Sequence, residues 1–157
     1  MSRKTALLVV VVSLLACAQP KEAMPAFRAR TLDGESLTNQ SLKGKVVLLQ
    51  FWTTWCGFCR RDQPAVDEIT RQYRDRGLVV LAVSVGESRD TVEGYLRRAP
   101  RAPRIVLTEN TNLVALFRPE SFPAYAVLDR GGALAGTQLG AGGSDSLRGL
   151  LRKAGLE

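Results

Sequence analysis

Two closely spaced cysteines are the residues of this chain whose types and spacing most directly suggest chemistry. Residues 53–59 read TTWCGFC, so two residues separate Cys56 from Cys59, just after an apolar run. Such a pair can cycle between dithiol and disulfide, supply half of a metal site, or act as a structural staple. A staple across so short a loop gives little entropic stabilisation, which favours the redox interpretation over the structural one.

The absence of histidine from all 157 residues narrows the remaining choices. Histidine is the commonest transition-metal ligand and the usual general base near neutral pH. A structural zinc site needs four ligands, and one CxxC pair without histidine cannot supply them from soft groups. We therefore expect no metal and no other cofactor, and any proton transfer must use Asp, Glu, Lys, Tyr or Cys.

Composition indicates one soluble globular domain without a nucleic-acid-binding surface. The chain is 45% hydrophobic and 24% charged, with 22 Lys and Arg against 15 Asp and Glu, a formal charge of +7. The arginines are spread along the chain with no dense run and little aromatic interleaving. A solvated basic face explains them better than a nucleic acid does.

The first residues have the layout of an export signal. Residues 1–18, MSRKTALLVVVVSLLACA, combine a basic start, an apolar stretch and small residues around a cysteine. The apolar stretch is shorter than the roughly 20 residues of a membrane-spanning helix. The letters LLAC resemble a bacterial lipobox, so we expect a signal peptide over residues 1–16 and a lipid on Cys17. Ordinary secretion and an uncleaved N-terminal helix anchor are the alternatives.

This assignment also accounts for the odd number of cysteines. Three is an uneven count for an exported protein, but a lipid on Cys17 leaves Cys56 and Cys59 as one pair. Export would place that pair where disulfides persist. We therefore predict a short tether over residues 17–26 and a single domain over residues 27–157.

Hydrophobic patterns predict the elements that must position the pair. Residues 45–51 and 78–85 are apolar runs of strand length, as expected for strands buried on both faces. A helical pattern follows Cys56 and ends at Gly77. The other predicted elements are hairpins over 27–37 and 124–139, a strand over 105–107, and helices over 91–98 with Asp90 as N-cap, 111–117, and 145–154 with Ser144 as N-cap. This order predicts an α/β fold with a central mixed sheet flanked by helices.

The stretch FWTTWCGFCRRDQP between strand and helix, together with the later SFPAY, resembles the thioredoxin superfamily. The phrases LKGKVVLLQFW and LAVSVGES are similar to the TlpA/ResA branch of membrane-attached bacterial thiol-disulfide oxidoreductases. The resemblance covers roughly residues 27–151. It implies a thioredoxin fold with an N-terminal β-hairpin and a mid-chain helical insertion.

The two cysteines are expected to have different roles. A helix N-terminus carries a partial positive charge and unpaired N–H groups, so it favours the thiolate form of Cys56. Cys56 is thus predicted to attack a partner disulfide. Cys59, one helical turn further on, is placed to resolve the mixed disulfide.

The resemblance also implies a substrate-binding set. Trp55 corresponds to an indole beside the nucleophile, and Pro123, after Phe122, matches the cis-proline that faces the disulfide. A cis X-Pro bond exposes the preceding backbone for pairing with an extended substrate. Phe58 replaces the proline usual before the second cysteine and adds an exposed aromatic for docking, and Ala124 replaces the threonine common after the cis-proline.

Proton transfer to and from the cysteine pair requires an ionisable group close to it. Thioredoxins carry a buried Asp six residues before the first cysteine, where this chain has Gln50. The branch resemblance offers Glu87 instead. Because Glu87 follows the second buried strand and Cys56 the first, a parallel pair would bring both to one sheet edge. We predict that Glu87 exchanges a proton with Cys59.

The expected function is reduction of disulfides in exported proteins at the periplasmic side of the bacterial cell envelope. By resemblance, apocytochrome c is the leading example of a partner, and a membrane thiol electron donor would re-reduce the pair. A non-catalytic binding module is the alternative from another class. A thiol peroxidase would require PxxxTxxC, but residue 49 is Leu rather than Pro, and copper delivery would require a nearby histidine.

Overall fold

The computed structural model describes residues 23–157 of the protein. The predicted signal peptide and the predicted lipidation site at Cys17 lie outside the described residues. Within residues 23–157, no helix is both long enough and apolar enough to cross a membrane.

The described chain alternates strands and helices in nearly the predicted order. The strands are β1 (Arg28–Thr31), β2 (Ser36–Thr38), β3 (Val46–Trp52), β4 (Leu78–Ser84), β5 (Arg104–Thr111), β6 (Ala124–Leu128) and β7 (Leu134–Leu139). The helices are α1 (Gly57–Tyr73), α2 (Arg89–Arg98), α3 (Leu113–Phe117) and α4 (Gly143–Lys153). A 3₁₀ turn (Arg74–Arg76) joins α1 to β4.

The strands form one mixed sheet in the order β2-β1-β5-β4-β3-β6-β7. The three central strands β5, β4 and β3 are parallel, and the outer strands pair antiparallel. Every residue of β3 and of β4 is buried. Parallel strands covered on both faces read as continuous apolar runs, so the predicted central mixed sheet is confirmed.

The two faces of the sheet carry separate parts of the core. Odd-numbered residues of β3, such as Leu49, pack with the N-terminal hairpin and α3. Even-numbered residues, such as Leu48 and Trp52, pack with α1, α4 and α2. The alternation follows from the two-residue period of a strand. It directs position 50 and position 52 towards the helix that carries the cysteines.

Several boundaries differ from the prediction, and three of these differences have an identifiable local cause. Helix α2 begins two residues earlier than predicted because Ser88, rather than Asp90, caps it, with its hydroxyl accepting from Thr91 N at 3.3 Å. Strand β5 is longer than predicted because β1 pairs with it as far as Thr111. Helix α4 has Gly142 as N-cap, so the predicted cap at Ser144 is wrong.

The described chain enters the domain at the edge of the sheet remote from Cys56. Ala23 forms an isolated antiparallel bridge with Ala133, and Met24 N donates to Gly132 O at 3.1 Å. Both partners belong to the turn between β6 and β7. Because β6 runs antiparallel to β3, this turn lies at the N-terminal end of β3, whereas Cys56 follows its C-terminal end.

Candidate active site

The cysteine pair occupies the start of α1. Cys56 is the N-cap residue, in extended conformation, and its Sγ accepts a hydrogen bond from Cys59 N at 3.0 Å. The two cysteines form a disulfide. Both are buried, with Cys59 at 1% exposure and Cys56 at 6%. Cys56, at the helix terminus, is therefore the less buried residue of the two.

Exposed aromatic side chains surround this position. Trp55 is 69% exposed and Phe58 is 59% exposed, unusual fractions for large apolar residues. The ring of Trp55 meets that of Phe122 edge to face, with centroids 6.2 Å apart. The guanidinium of Arg61 lies 4.7 Å from the centre of the Phe58 ring. The predicted docking residues thus border the disulfide as an apolar rim.

The Phe122–Pro123 bond is cis, as the resemblance implies. Pro123 immediately precedes β6, whose first residue, Ala124, pairs with Phe51 near the C-terminal end of β3. Pro123 O accepts from Gly140 N at 2.8 Å. These contacts place the proline loop and the cysteine loop at one edge of the sheet.

Glu87 lies at the same edge and holds the loop before the nucleophile. Its carboxylate accepts from Thr54 N at 2.9 Å and from Ser84 Oγ at 2.7 Å, and it also accepts from the Thr54 hydroxyl. Thr54 stands two residues before Cys56. Glu87 therefore lies where the parallel strands were expected to bring it, and its hydrogen bonds fix the loop between β3 and α1.

Gln50, in the position of the buried thioredoxin aspartate, belongs to a polar network inside the core. Gln50 is fully buried, and its Nε2 donates to Tyr125 Oη at 3.1 Å. Tyr125 Oη donates to Asp62 Oδ2 at 2.6 Å, and Gly143 N donates to Asp62 Oδ1 at 2.8 Å. Burial, together with the hydrogen bond to Asp62, raises the pKa of Tyr125 well above its ordinary value. The tyrosine is therefore a neutral donor.

Arg101 completes this network from the loop between α2 and β5. Its side chain is 1% exposed, and its Nη2 donates to Gln50 Oε1 at 2.8 Å. Its guanidinium also lies 4.7 Å from the centre of the Trp52 ring. Arg101, Tyr125 and Asp62 are not among the site residues predicted from the sequence. Asp62 alone had a local signal, since it follows Cys59 by three residues on the same helix face.

Within residues 23–157, no cluster of three or more His, Cys, Asp or Glu side chains is arranged to hold a metal ion.

Residues 19–151 match the model of the Redoxin family. The chain belongs to the Redoxin family. It is 26% identical over 133 residues to the thiol-disulfide oxidoreductase ResA of Bacillus cereus, an alignment covering 85% of this chain and 76% of the relative. It is 32% identical over 125 residues to the thioredoxin-like protein YneN of Bacillus subtilis strain 168, covering 78% and 72% respectively.

Solved structures agree with this assignment. The exposed lipoprotein thioredoxin of Streptococcus pneumoniae strain TIGR4 superposes with a TM-score of 0.71 at 26% identity, covering 82% of this chain and 99% of that one. A Chlorobium tepidum protein described as a thiol:disulfide interchange protein DsbE superposes with a TM-score of 0.73 at 22% identity, covering 85% and 96%, which supports the fold alone.

The family, the relatives and the CxxC pair together confirm three predictions from the sequence. The chain has the thioredoxin fold, it resembles ResA, and it is a thiol-disulfide oxidoreductase with the Cys56–Cys59 pair.

Proposed function

We propose that this protein works outside the cytoplasm and reduces disulfides in exported protein partners. The observation that carries the proposal is the position of Cys56 as N-cap of a 17-residue helix, at the same sheet edge as the cis-Pro123 loop. A helix N-terminus stabilises a thiolate, which is the attacking form. The cis-proline loop offers backbone for an extended substrate segment beside it.

The exchange proceeds in two steps. The Cys56 thiolate attacks one sulfur of the partner disulfide, forming a mixed disulfide and releasing the other partner sulfur as a thiolate. Cys59 then loses its proton and attacks the Cys56 sulfur, which expels the partner's second sulfur. Two electrons pass from the Cys56–Cys59 dithiol to the partner, and the protein is left as the disulfide.

Glu87 is the group proposed to handle the Cys59 proton. Its carboxylate is anchored to Thr54, two residues from Cys56, so it is held beside the cysteine loop in a half-buried position. A positioned carboxylate can accept the proton in the resolving step and return it after re-reduction.

The apolar rim is proposed to bind the partner. Trp55, Phe58 and Phe122 offer aromatic surface next to the buried sulfurs, and Pro123 offers backbone. Exposed aromatic clusters beside a reactive group are typical of docking surfaces. The partner segment would lie extended across this rim with its disulfide above Cys56.

We also propose where in the cell the protein works and which partners it meets there. A lipid on Cys17 would hold the protein at the periplasmic side of the membrane, where a membrane thiol donor would reduce it after each cycle. Apocytochrome c is the leading proposed substrate. The name of the pneumococcal structure, an exposed lipoprotein thioredoxin, supports an anchored extracytoplasmic location.

Trapping tests the proposal directly. In a Cys59→Ala variant the mixed disulfide cannot be resolved, so disulfide-linked partners should accumulate on non-reducing gels and be identified by mass spectrometry. The matched control is Cys56→Ser with Cys59→Ala, which should trap nothing. Cys56→Ser alone should abolish insulin reduction in the presence of dithiothreitol. A Cys56→Ser protein that retains its cellular function would establish a binding module instead.

A further inference from the structure

A buried cation lies in the core next to the residues that surround the disulfide. The Arg101 guanidinium donates to Gln50 Oε1 at 2.8 Å and lies over the Trp52 ring, 4.7 Å from its centre. Trp52 belongs to the same buried cluster as Cys56 and Cys59. Arg101 therefore contacts a member of the buried cluster around the disulfide, but it does not form part of the exposed site.

The positive charge of Arg101 is only partly balanced. Its closest carboxylate is that of Asp67, with Nε 3.9 Å from Oδ1, and that oxygen already accepts from Ala102 N at 3.0 Å. Within residues 23–157, Arg101 Nε has no hydrogen-bond partner. Burial lowers the pKa of the guanidinium, and the charge of Asp67 opposes that shift. An arginine nevertheless stays protonated in proteins.

The other ionisable groups around Arg101 do not neutralise the rest of its positive charge. Tyr95 uses its hydroxyl to donate to Gln63 Oε1, and its ring packs on Trp52. The Asp62 carboxylate lies beyond Tyr125, where it accepts from Tyr125 Oη and from Gly143 N. Asp67 is thus the only carboxylate placed against the guanidinium among the described residues.

Reduction of the disulfide creates a negative charge, which a nearby buried cation would stabilise. When a donor dithiol reduces the protein, the Cys56–Cys59 bond breaks, two electrons enter the pair and a disulfide forms in the donor. The protein then holds one thiolate and one thiol, and one proton is released to solvent. The reduced form therefore carries a negative charge that the disulfide lacks, inside a cluster from which water is excluded.

We propose that Arg101 is a positioning residue of the redox centre: across Trp52, its buried positive charge stabilises the anionic reduced form and so raises the reduction potential of the Cys56–Cys59 pair. The proposal rests on the redox activity of that pair and is independent of which partners it serves. The attraction between the Arg101 guanidinium and the thiolate falls only as the inverse of their separation. We therefore expect Arg101 to change the redox equilibrium constant about tenfold.

The test is the redox equilibrium of the purified protein with glutathione at pH 7, read by thiol labelling. Arg101→Met should reduce the equilibrium constant for forming the dithiol about tenfold, equivalent to about 30 mV in potential. Arg101→Lys, which keeps the charge, should stay within about threefold of the unmodified protein. Circular dichroism and cooperative unfolding establish that each variant is folded.

Asp67→Asn provides the opposite change and remains informative if Arg101→Met does not fold. It removes the partial counter-charge while keeping an oxygen for Ala102 N, so it should raise the same equilibrium constant about threefold. A folded Arg101→Met protein within twofold of the unmodified one would overturn the proposal. A decrease in Asp67→Asn would also overturn it, since loosened packing, rather than charge, would then control the potential. Partner trapping by Cys59→Ala is unaffected by either result, so the proposed function is judged separately.

Discussion

Two polar regions near the cysteine loop are built differently. On the loop side, Glu87 is half-buried and bound to Thr54 and Ser84, close to solvent. On the core side, Gln50, Tyr125, Asp62 and Arg101 form a buried network in which the residue at position 50 cannot titrate. The difference indicates a separation of tasks. The loop side holds the carboxylate that we propose for proton transfer, whereas the core side supplies a fixed arrangement of charge and hydrogen bonds.

The largest expected effect comes from removing the acceptor of the core network. Asp62→Ala leaves Tyr125 Oη and Gly143 N without an acceptor in the core, which should cost about 3 kcal/mol of unfolding free energy. Denaturant unfolding of the oxidised protein measures this loss. Asp90→Ala, at an exposed carboxylate on α2, is the control and should stay within about 0.5 kcal/mol. Equal losses in the two variants would refute a special contribution of the network.

On the loop side, Glu87→Gln should lower the rate of insulin reduction about tenfold to a hundredfold near neutral pH, because a positioned acid-base group contributes at least that much. The amide keeps an acceptor for Thr54, so the unfolding free energy should change by less than about 1 kcal/mol. Stopped-flow turnover across a pH series measures the rate, and the pH at which the thiols ionise should shift. An unchanged pH profile would remove Glu87 from proton transfer.

A smaller effect is expected at the apolar rim. Trp55→Ala should lower kcat/KM for a protein disulfide about tenfold, since it removes a large exposed aromatic from the docking surface. Turnover of a small disulfide such as oxidised glutathione should change little. Leu134→Ala, at an exposed apolar residue on the opposite edge of the sheet, is the matched control. Equal losses for both substrates would assign Trp55 to the chemistry rather than to docking.

The smallest effect is expected for Phe58→Ala. The ring is 59% exposed and contacts Arg61, so its removal should raise KM for a protein disulfide about threefold and leave stability within about 0.5 kcal/mol. Michaelis–Menten analysis separates KM from kcat. A fall in kcat at constant KM would contradict a docking role and point to an effect on the disulfide itself.

The loop side could be predicted from the sequence, and the core side could not. Cys56, Glu87 and Pro123 each follow or precede a recognisable strand, so strand order alone brings them to one edge. Arg101 instead reaches Gln50 from a loop 51 residues later, and nothing in its local sequence distinguishes it from the solvated arginines. Such a contact depends on tertiary packing. The prediction also named the wrong residue where two neighbouring side chains could cap a helix. Ser88, rather than Asp90, is the N-cap of α2.

The bridge between Ala23 and Ala133 affects how an anchored domain would present its disulfide to partners. It fixes the start of the described chain at one pole of the domain, and the seven residues of β3 separate that pole from the cysteine loop by about 23 Å. A protein held by its N-terminus would therefore present its disulfide outward, away from the surface that holds it. Large soluble partners could then approach the rim without steric conflict with the anchor.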